Sequence, residues 1–186
     1  MQKIMFNDKY GLTQAVLEGR KTQTRRMFLK PGEETMLKGI TPEYLISVRS
    51  RYKVGETIAI AQSYKDIHAE ILREVGDWDL KKEFLQSKGY ANKMFVRAEK
   101  MPHAIRITNI RIERLQDISE KDCMKEGIWR DDNVGREGTT YWYHGLSNSS
   151  FRTPQDAYAS LIDSISGKGT WASNPYVFVY DFELIN

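Results

Sequence analysis

A dense run of polar side chains, from Gly19 to Arg26, is the part of the sequence best equipped for chemistry. Its eight residues carry four cations and two threonine hydroxyls. Cations bind phosphate groups, and a hydroxyl becomes a nucleophile when a neighbouring base takes up its proton. So polar a segment is expected at the surface rather than in the core. The alternative to a functional site is an edge strand whose side chains are simply solvated. On an extended backbone, alternation would separate Lys21, Gln23 and Arg25 from Thr22, Thr24 and Arg26.

Four positions of this run, Gly19, Lys21, Thr24 and Arg26, match the pattern G-x-K-x-x-T-x-R and resemble the signature of the ASCH family. In that family the segment lines a cleft. The similarity continues far downstream, where residues 118–126 look like the family's helix that carries an acidic residue toward the cleft. The order of these elements makes the resemblance more specific than the short motif alone.

The resemblance also implies a fold. Residues 169–171 and 174–179 are similar to the closing strand of longer bacterial and prophage-borne members, whereas 66–93 and 129–153 have no counterpart and are expected to be insertions. The implied architecture is an α+β fold in which a PUA-like mixed β-barrel carries peripheral helices. The whole chain, 1–186, is expected to form one such domain.

The first function that the resemblance implies is binding of single-stranded nucleic acid, RNA rather than DNA, or of a modified nucleobase, in a basic cleft around the run. In this hypothesis the cations hold a phosphate, the threonine hydroxyls contact a base edge, and an aromatic ring stacks on the base. The expected ligand-binding side chains are Arg20, Lys21, Thr22, Thr24, Arg25, Arg26, Trp142 and Trp171.

A second function follows from small ASCH members that look like N4-acetylcytidine amidohydrolases. Their lysine, threonine and glutamate match Lys21, Thr24 and Glu126 here. A lysine whose pKa is lowered by burial would exchange a proton with Glu126 and deprotonate Thr24, whose oxygen would attack the amide carbon. This chain is much longer than those enzymes, and the aromatic-rich segment 129–153 is a candidate cover for the cleft.

Each of these residues also has an interpretation without function. Lys21 would be a favourable cation at a helix C-terminus, Glu126 a solvent-exposed acid, and the aromatic residues of 129–153 ordinary packing. A third functional class is a prophage accessory protein that acts by protein contact and retains the cleft unused.

Several kinds of chemistry have no support in the sequence. His68, His103 and His144 do not form a metal-binding spacing, and the chain contains neither a P-loop nor a G-x-S-x-G elbow. We therefore predict no metal and no cofactor. Cys123 is the only cysteine, which excludes an internal disulfide and favours a reducing compartment. A lone cysteine inside a short helix is usually a small packed side chain rather than a nucleophile.

The bulk composition fits a cytoplasmic globular protein. The chain has 186 residues, 40% of them apolar, and no run of eighteen apolar residues or signal-peptide pattern. Its net charge of +3 is too small to indicate a nucleic-acid binder by itself. Positive charge is nevertheless concentrated near the motif: residues 1–60 hold 11 basic and 6 acidic side chains, and 101–186 hold 9 and 12. A local phosphate contact would need such a distribution.

The remaining pattern predicts the elements that must position these side chains. Caps at Asp8, Ser119 and Thr153 predict helix starts, and Gly19, Gly127 and Gly167 predict helix ends. Strands are expected at 4–6, 44–48, 57–61, 94–99, 104–115 and 176–184. A shift in the apolar positions across 108–109 predicts a β-bulge. A charged helical insertion is expected at 66–93, anchored by Trp78, Leu80, Phe84 and Leu85.

Overall fold

Within the described residues, the two longest strands pair with each other at the centre of a five-stranded sheet. The computed structural model describes residues 1–29, 38–68, 82, 85–132, 138–145 and 150–185. The sheet comprises β1 (Gln2–Ile4), β2 (Gln23–Met27), β3 (Thr57–Ile60), β4 (Ala104–Arg114) and, numbered by its place in the chain, β7 (Tyr176–Ile185). Its spatial order is β1-β3-β4-β7-β2, with β1 and β3 parallel and all other pairs antiparallel.

The predicted β-bulge lies in β4. The register against β7 shifts between Ile107 and Asn109, which leaves Thr108 as the extra residue. Because of the bulge, Ile110 is buried although its spacing from Ile107 is odd. A bulge bends a strand and increases its twist, so the centre of the sheet curves here.

The predicted turn at Gly19 and the predicted caps at Ser119 and Thr153 are confirmed. The helix α1 (Leu12–Leu17) is followed by Gly19 in a left-handed conformation (φ 71°), which turns the chain into β2. The helix α3 (Glu120–Lys125) begins at Ser119, whose hydroxyl accepts the backbone N–H of Asp122, and Glu126 is its C-terminal cap. Downstream, α4 (Pro154–Ser166) begins at the cap Thr153, and α5 (Thr170–Ser173) follows.

Residues 44–48 were predicted as a strand, and this is wrong. They lie in the helix α2 (Pro42–Arg49), which Thr41 caps by accepting the backbone N–H of Tyr44. Pro42 occupies the first turn, where its fixed φ favours a helix. Leu45 is the only residue of this helix that is fully buried, so the apolar residues that indicated a strand are largely exposed.

Two other predicted boundaries differ from the structure. The segment expected as a strand at 94–99 contains two 3₁₀ turns, Lys93–Phe95 and Ala98–Lys100, the first of them capped by Asn92. The first helix does not begin at Asp8: Asn7 caps a 3₁₀ turn there, and α1 starts after Gly11. Asparagine side chains that hydrogen-bond to nearby backbone amides compete with regular strands and helices in this way.

The two segments expected as insertions are only partly described. In 66–93, Trp78, Leu80 and Phe84 lie outside the described residues, and Leu85 is exposed. In 129–153, β5 (Trp129–Asp131) and β6 (Thr140–Trp142) form an antiparallel pair in which Trp129 is opposite Trp142.

The α+β class is confirmed, but a closed barrel is not. Within the described residues, no strand pairing joins the two sheet edges β1 and β2. Instead, the side chain of Arg26 in β2 donates a hydrogen bond to the backbone oxygen of Met5, just beyond β1, at 2.8 Å. The gap between the edges is therefore bridged by a side chain rather than by a backbone ladder. None of the helices in the described ranges has the length and apolar character needed to cross a membrane.

Candidate functional site

Lys21 is fully buried and bonded at every donor of its ammonium group. Its Nζ donates to Glu126 Oε2 at 2.5 Å, to the backbone oxygen of Glu126 at 2.9 Å and to that of Gln23 at 2.7 Å. Because an ammonium group has three protons, these contacts satisfy it completely. The predicted pairing of Lys21 with Glu126 across the fold is thus present in the structure.

Backbone contacts hold both members of this pair. The backbone N–H of Lys21 donates to the oxygen of Ala15 in α1, and that of Thr22 donates to the oxygen of Lys125 at the end of α3. Gly127, with φ 102°, then carries the chain away from α3 immediately after Glu126. The end of one helix is thereby fixed against the start of β2, which sets the distance between the lysine and the glutamate.

Arg25 is not an exposed ligand-binding cation, because its guanidinium is buried. It donates to Glu126 Oε1 at 3.1 Å, to Glu113 Oε2 at 3.0 Å and to the side-chain oxygen of Gln23. Glu126 therefore bridges two buried cations with its two oxygens. The sequence-based expectation of a surface segment is wrong for Lys21, Gln23, Thr24 and Arg25, all of which are buried.

The pair belongs to a larger charge network that spans β2, β4, β7 and α3. Arg111 contacts Asp181 at 2.5 Å and Asp122 at 3.1 Å, and Gln23 donates to Asp181 at 2.6 Å. The network contains equal numbers of cations and carboxylates: Lys21, Arg25, Arg111 and Lys125 against Glu113, Asp122, Glu126 and Asp181. Buried charges of one sign are thus neutralised locally, as their desolvation requires.

Burial changes the proton affinities of this region. It lowers the pKa of Lys21, and the neighbouring Glu126 carboxylate opposes the shift without cancelling it. Burial raises the pKa of Tyr158 well above its ordinary value, and Glu126 adds to that rise. Burial also raises the pKa of the Cys123 thiol to about 12, so at neutral pH this cysteine is a protonated, packed side chain rather than a nucleophile.

A cavity of about 410 Å³ opens beside the buried pair, and we call it the motif cavity. Its apolar wall is formed mainly by Met5, Phe6, Leu12, Leu161, Ile162 and Val177. Its polar groups are Asn7, Lys21, Thr24, Arg25, Arg26, Glu126, Tyr158 and Ser166. The side chains of Thr24 and Tyr158 are buried overall, and neither hydroxyl forms a hydrogen bond with a described residue. Unlike the enclosed and unpaired Nε of Arg25, both hydroxyl oxygens remain accessible from the cavity that they line. Two cavity-facing hydroxyls without a protein partner are therefore available to a ligand.

The structure brings some of the predicted site residues together and separates others. Lys21, Thr24, Arg25, Arg26 and Glu126 all line the motif cavity. No residue of 129–153 within the described ranges lines it, so the predicted cover is not seen there.

Four predicted ligand contacts do not line this cavity: Arg20, Thr22, Trp142 and Trp171. Arg20 stacks on Trp129 with 4.4 Å between its guanidinium carbon and the ring centre. Trp142 is paired with the same tryptophan across the β5–β6 hairpin. Trp171 makes an edge contact with the ring of Tyr158, 6.1 Å between ring centres, and does not itself line the cavity.

Sequence reasoning missed Tyr158, Asn7 and most of the acidic partners. Tyr158 lies on the buried apolar face of α4, and its hydroxyl is the single polar atom that could have indicated a role in the site. Asn7 accepts a hydrogen bond from the backbone of Lys9 through its side-chain oxygen, which leaves its amide directed at no described acceptor. The role of Glu113 and Asp181 as partners of arginines could not be recognised from the sequence, because alternating charges on strands usually face solvent. Among the described residues, no group of His, Cys, Asp and Glu is arranged to hold a metal.

Comparisons with known proteins give one structural match. No family model matches the sequence, and no curated protein matches it. Among solved structures, the chain is similar to the ASCH domain from Lactobacillus crispatus JV V101, with 13% identity and a TM-score of 0.39. The match covers 96% of this chain and 75% of that one. A TM-score of 0.39 reflects partial overlap of the backbones, and no side-chain role is transferred from it. An ASCH domain is nevertheless what this chain is similar to, as the motif predicted.

Proposed function

We propose that the chain binds one nucleobase in the motif cavity, either as a modified nucleoside or at an unstacked position of single-stranded RNA. The observation that carries the proposal is that the hydroxyls of Thr24 and Tyr158, which have no partner among the described residues, face a largely apolar cavity. A volume of about 410 Å³ lies within the usual range for small-molecule sites. Such sites combine apolar walls with a few fixed polar groups, which is the composition found here.

The polar groups suit the edge of a base. Each hydroxyl can donate or accept a hydrogen bond, and the Asn7 amide adds donors. Phe6 provides an aromatic ring in the same wall. RNA is the preferred polymer because sequence-specific RNA recognition takes single, splayed-out bases into pockets of this kind.

A binding assay tests the proposal. Titration calorimetry with nucleosides and fluorescence anisotropy with labelled single-stranded RNA at low salt should both show binding to the parent protein. Thr24→Val keeps the shape of the side chain and removes its hydroxyl, and should weaken binding about three- to tenfold, as expected for one neutral hydrogen bond. Thr57→Val, an exposed change at the start of β3, is the matched control and should bind like the parent. Absence of binding by every probe would overturn the proposal.

The second candidate function is hydrolysis of an N-acylated nucleoside such as N4-acetylcytidine. Two observations favour it: Lys21, Thr24 and Glu126 line the same cavity, and burial lowers the pKa of Lys21. Lys21 would pass a proton to Glu126, and its neutral amine would then accept the Thr24 proton as the threonine oxygen attacks the acetyl carbon. The carbon–nitrogen bond would break as the leaving amine takes up that proton, and water would release acetate from the acyl-threonine.

The ground-state geometry sets a condition on this mechanism. All three Lys21 donors are engaged, and no hydrogen bond joins Lys21 to Thr24. A base must come within hydrogen-bonding distance of the hydroxyl that it deprotonates. The enzyme hypothesis therefore requires that substrate binding releases at least one contact of Lys21, whereas simple binding requires no rearrangement.

Deacetylation of N4-acetylcytidine separates the two functions. If the chain is an amidohydrolase, the parent and Thr24→Ser should release acetate and Thr24→Val should be inactive, because only the first two retain a hydroxyl nucleophile. Binding without acetate release would leave the binding function standing alone. Neither binding nor turnover by the folded parent would leave the alternative of an accessory protein that acts by protein contact.

A further inference from the structure

A second cavity of about 420 Å³ adjoins the motif cavity, and we call it the cationic cavity. The two share Met5, Arg26 and Met27 as a common wall, at the gap between β1 and β2. The basic residues of the cationic cavity are Lys3, Arg26, Arg49 and Arg51, and none of its described lining residues is acidic. It thus contrasts with the motif cavity, where Glu126 balances the cations.

The charges of this second cavity are largely unneutralised. Arg26, Arg49 and Arg51 form no ion pair with a described residue, whereas Arg25 and Arg111 are held by carboxylates. The ammonium of Lys3 donates only to the backbone oxygens of Met94 and Val96, which leaves its charge uncancelled. A group of arginines without acidic partners, gathered around one concave surface, is suited to an anion.

Arg26 lies at the junction of the two cavities. One of its amino groups donates to the backbone oxygen of Met5, and the remaining guanidinium donors are not bonded to described residues. A guanidinium has five N–H donors, so Arg26 can keep this bridge and still bind a ligand. Phosphate oxygens match the planar, forked arrangement of these donors.

We infer that the cationic cavity binds a phosphate attached to the nucleoside whose base occupies the motif cavity. This inference rests on the proposed function and narrows it: the ligand is a phosphorylated nucleoside, with its base beside Thr24 and Tyr158 and its phosphate beside Arg26, Arg49 and Arg51. The phosphate belongs either to a free nucleotide or to the backbone of a single strand.

The test compares matched probes on matched variants. The probes are the four nucleosides, their 5′-monophosphates, inorganic phosphate and a short labelled single-stranded RNA. The double variant Arg49→Ala/Arg51→Ala removes two exposed cations of the cavity. The control Arg106→Ala/Arg152→Ala also removes two exposed arginines, and neither lines the motif cavity or the cationic cavity. Calorimetry and anisotropy at several salt concentrations are the measurements.

The expected result is that a 5′-phosphate strengthens binding to the parent about tenfold or more. The cavity variant should lose that gain and show a shallower salt dependence, while its affinity for nucleosides and the behaviour of the control stay unchanged. A gain seen only with RNA would identify a phosphodiester as the source of the phosphate and would support the inference.

The failures are distinguishable. The inference is overturned if nucleosides bind but neither the 5′-monophosphates nor the RNA binds more tightly than they do. It is also overturned if the control variant loses as much affinity as the cavity variant. In both cases the base-binding function stands. If inorganic phosphate binds in an Arg49- and Arg51-dependent manner but no base-containing probe gains over it, the phosphate site stands as an anion site. The nucleobase proposal, and with it the composite ligand, is then overturned.

Discussion

Glu126 is the residue on which the candidate site most depends. Its two carboxylate oxygens bond Lys21 and Arg25, and all three side chains are buried. A buried charge is tolerated only when a partner compensates its loss of hydration. Glu126 therefore serves stability and site geometry at once, and the two roles require separate measurements.

Replacing Glu126 by alanine should strongly destabilise the protein. The change leaves two cations buried without this carboxylate, and breaking a buried ion pair in this way costs about 3–5 kcal/mol. Urea unfolding at neutral pH measures the loss of free energy. Glu183→Ala, which removes an exposed carboxylate paired with Arg106, should cost less than about 1 kcal/mol. A Glu126→Ala variant no less stable than this control would contradict the account.

The negative charge of Asp122 should stabilise the folded state at neutral pH and lose this effect in acid. Burial by itself would raise the pKa of Asp122, but Lys125, Arg111 and Arg25 more than offset this and lower it below the ordinary 3.8. Between the lowered folded pKa and 3.8, the unfolded chain binds more protons, so stability rises with pH; above 3.8 the contribution is complete.

The measurement is unfolding free energy as a function of pH for the parent and for Asp122→Asn. The parent should be the more stable of the two near pH 7, and the difference should shrink as pH falls through and below 3.8. Asp117→Asn, an exposed substitution, should follow the parent throughout. A constant difference between parent and Asp122→Asn across this range would show that the charge of Asp122 is not the cause.

At the scale of elements, the turn between α1 and β2 delivers the motif to the site. Gly19 adopts φ 71°, and a Cβ added there would meet nothing within 4 Å. Backbone conformation rather than space therefore selects glycine at this position. The turn fixes the direction in which β2 leaves α1, and hence where Lys21 and Thr24 lie.

Gly19→Ala should destabilise the protein by about 1–2 kcal/mol, the usual penalty for an L-residue in a left-handed conformation. Gly19→Asn should cost less, because asparagine adopts this conformation more readily. Thermal or urea unfolding checks the order of the three proteins. Equal stability of the alanine and glycine forms would show that the turn relaxes without strain.

Sequence signals were sufficient where the determining contacts are local. The caps at Ser119 and Thr153, the turn at Gly19 and the bulge at Thr108 depend on neighbouring residues and were predicted. The predicted strand at 44–48 is the local exception: the cap Thr41 and Pro42 indicate a helix, and they outweigh the strand propensity of the residues that follow. The burial of Arg25 was beyond sequence patterns, since its acidic partners come from β4 and α3, about ninety to a hundred residues away.

At the scale of the whole molecule, strand pairing is most extensive at the centre of the sheet and least extensive at its edges. The strands β4 and β7 pair along almost their full length, while β1 is three residues long and has only β3 as a strand partner within the described residues. Both cavities lie at the gap between the edge strands β1 and β2, where they share Met5, Arg26 and Met27. A ligand that occupies them would connect the two edges.

Hydrogen exchange should reveal this gradient. Amides of β4 and β7 should be the slowest to exchange and those of β1 the fastest in the sheet, since exchange follows local opening. Mass spectrometry of peptides from each strand measures the order. A bound nucleotide should slow exchange in β1 and β2 more than in β4. Uniform protection across the free sheet would contradict the description of an open gap.

The reactivity of Cys123 toward thiol reagents can be used to measure how tightly α3 is packed. It is the single thiol of the chain, it is fully enclosed, and it lies three residues before Glu126. A thiol-specific reagent can reach it only when this helix detaches from its neighbours. The labelling rate of Cys123 therefore reports how often α3 opens, with no engineered probe required. A ligand that stabilises the end of this helix should lower the labelling rate.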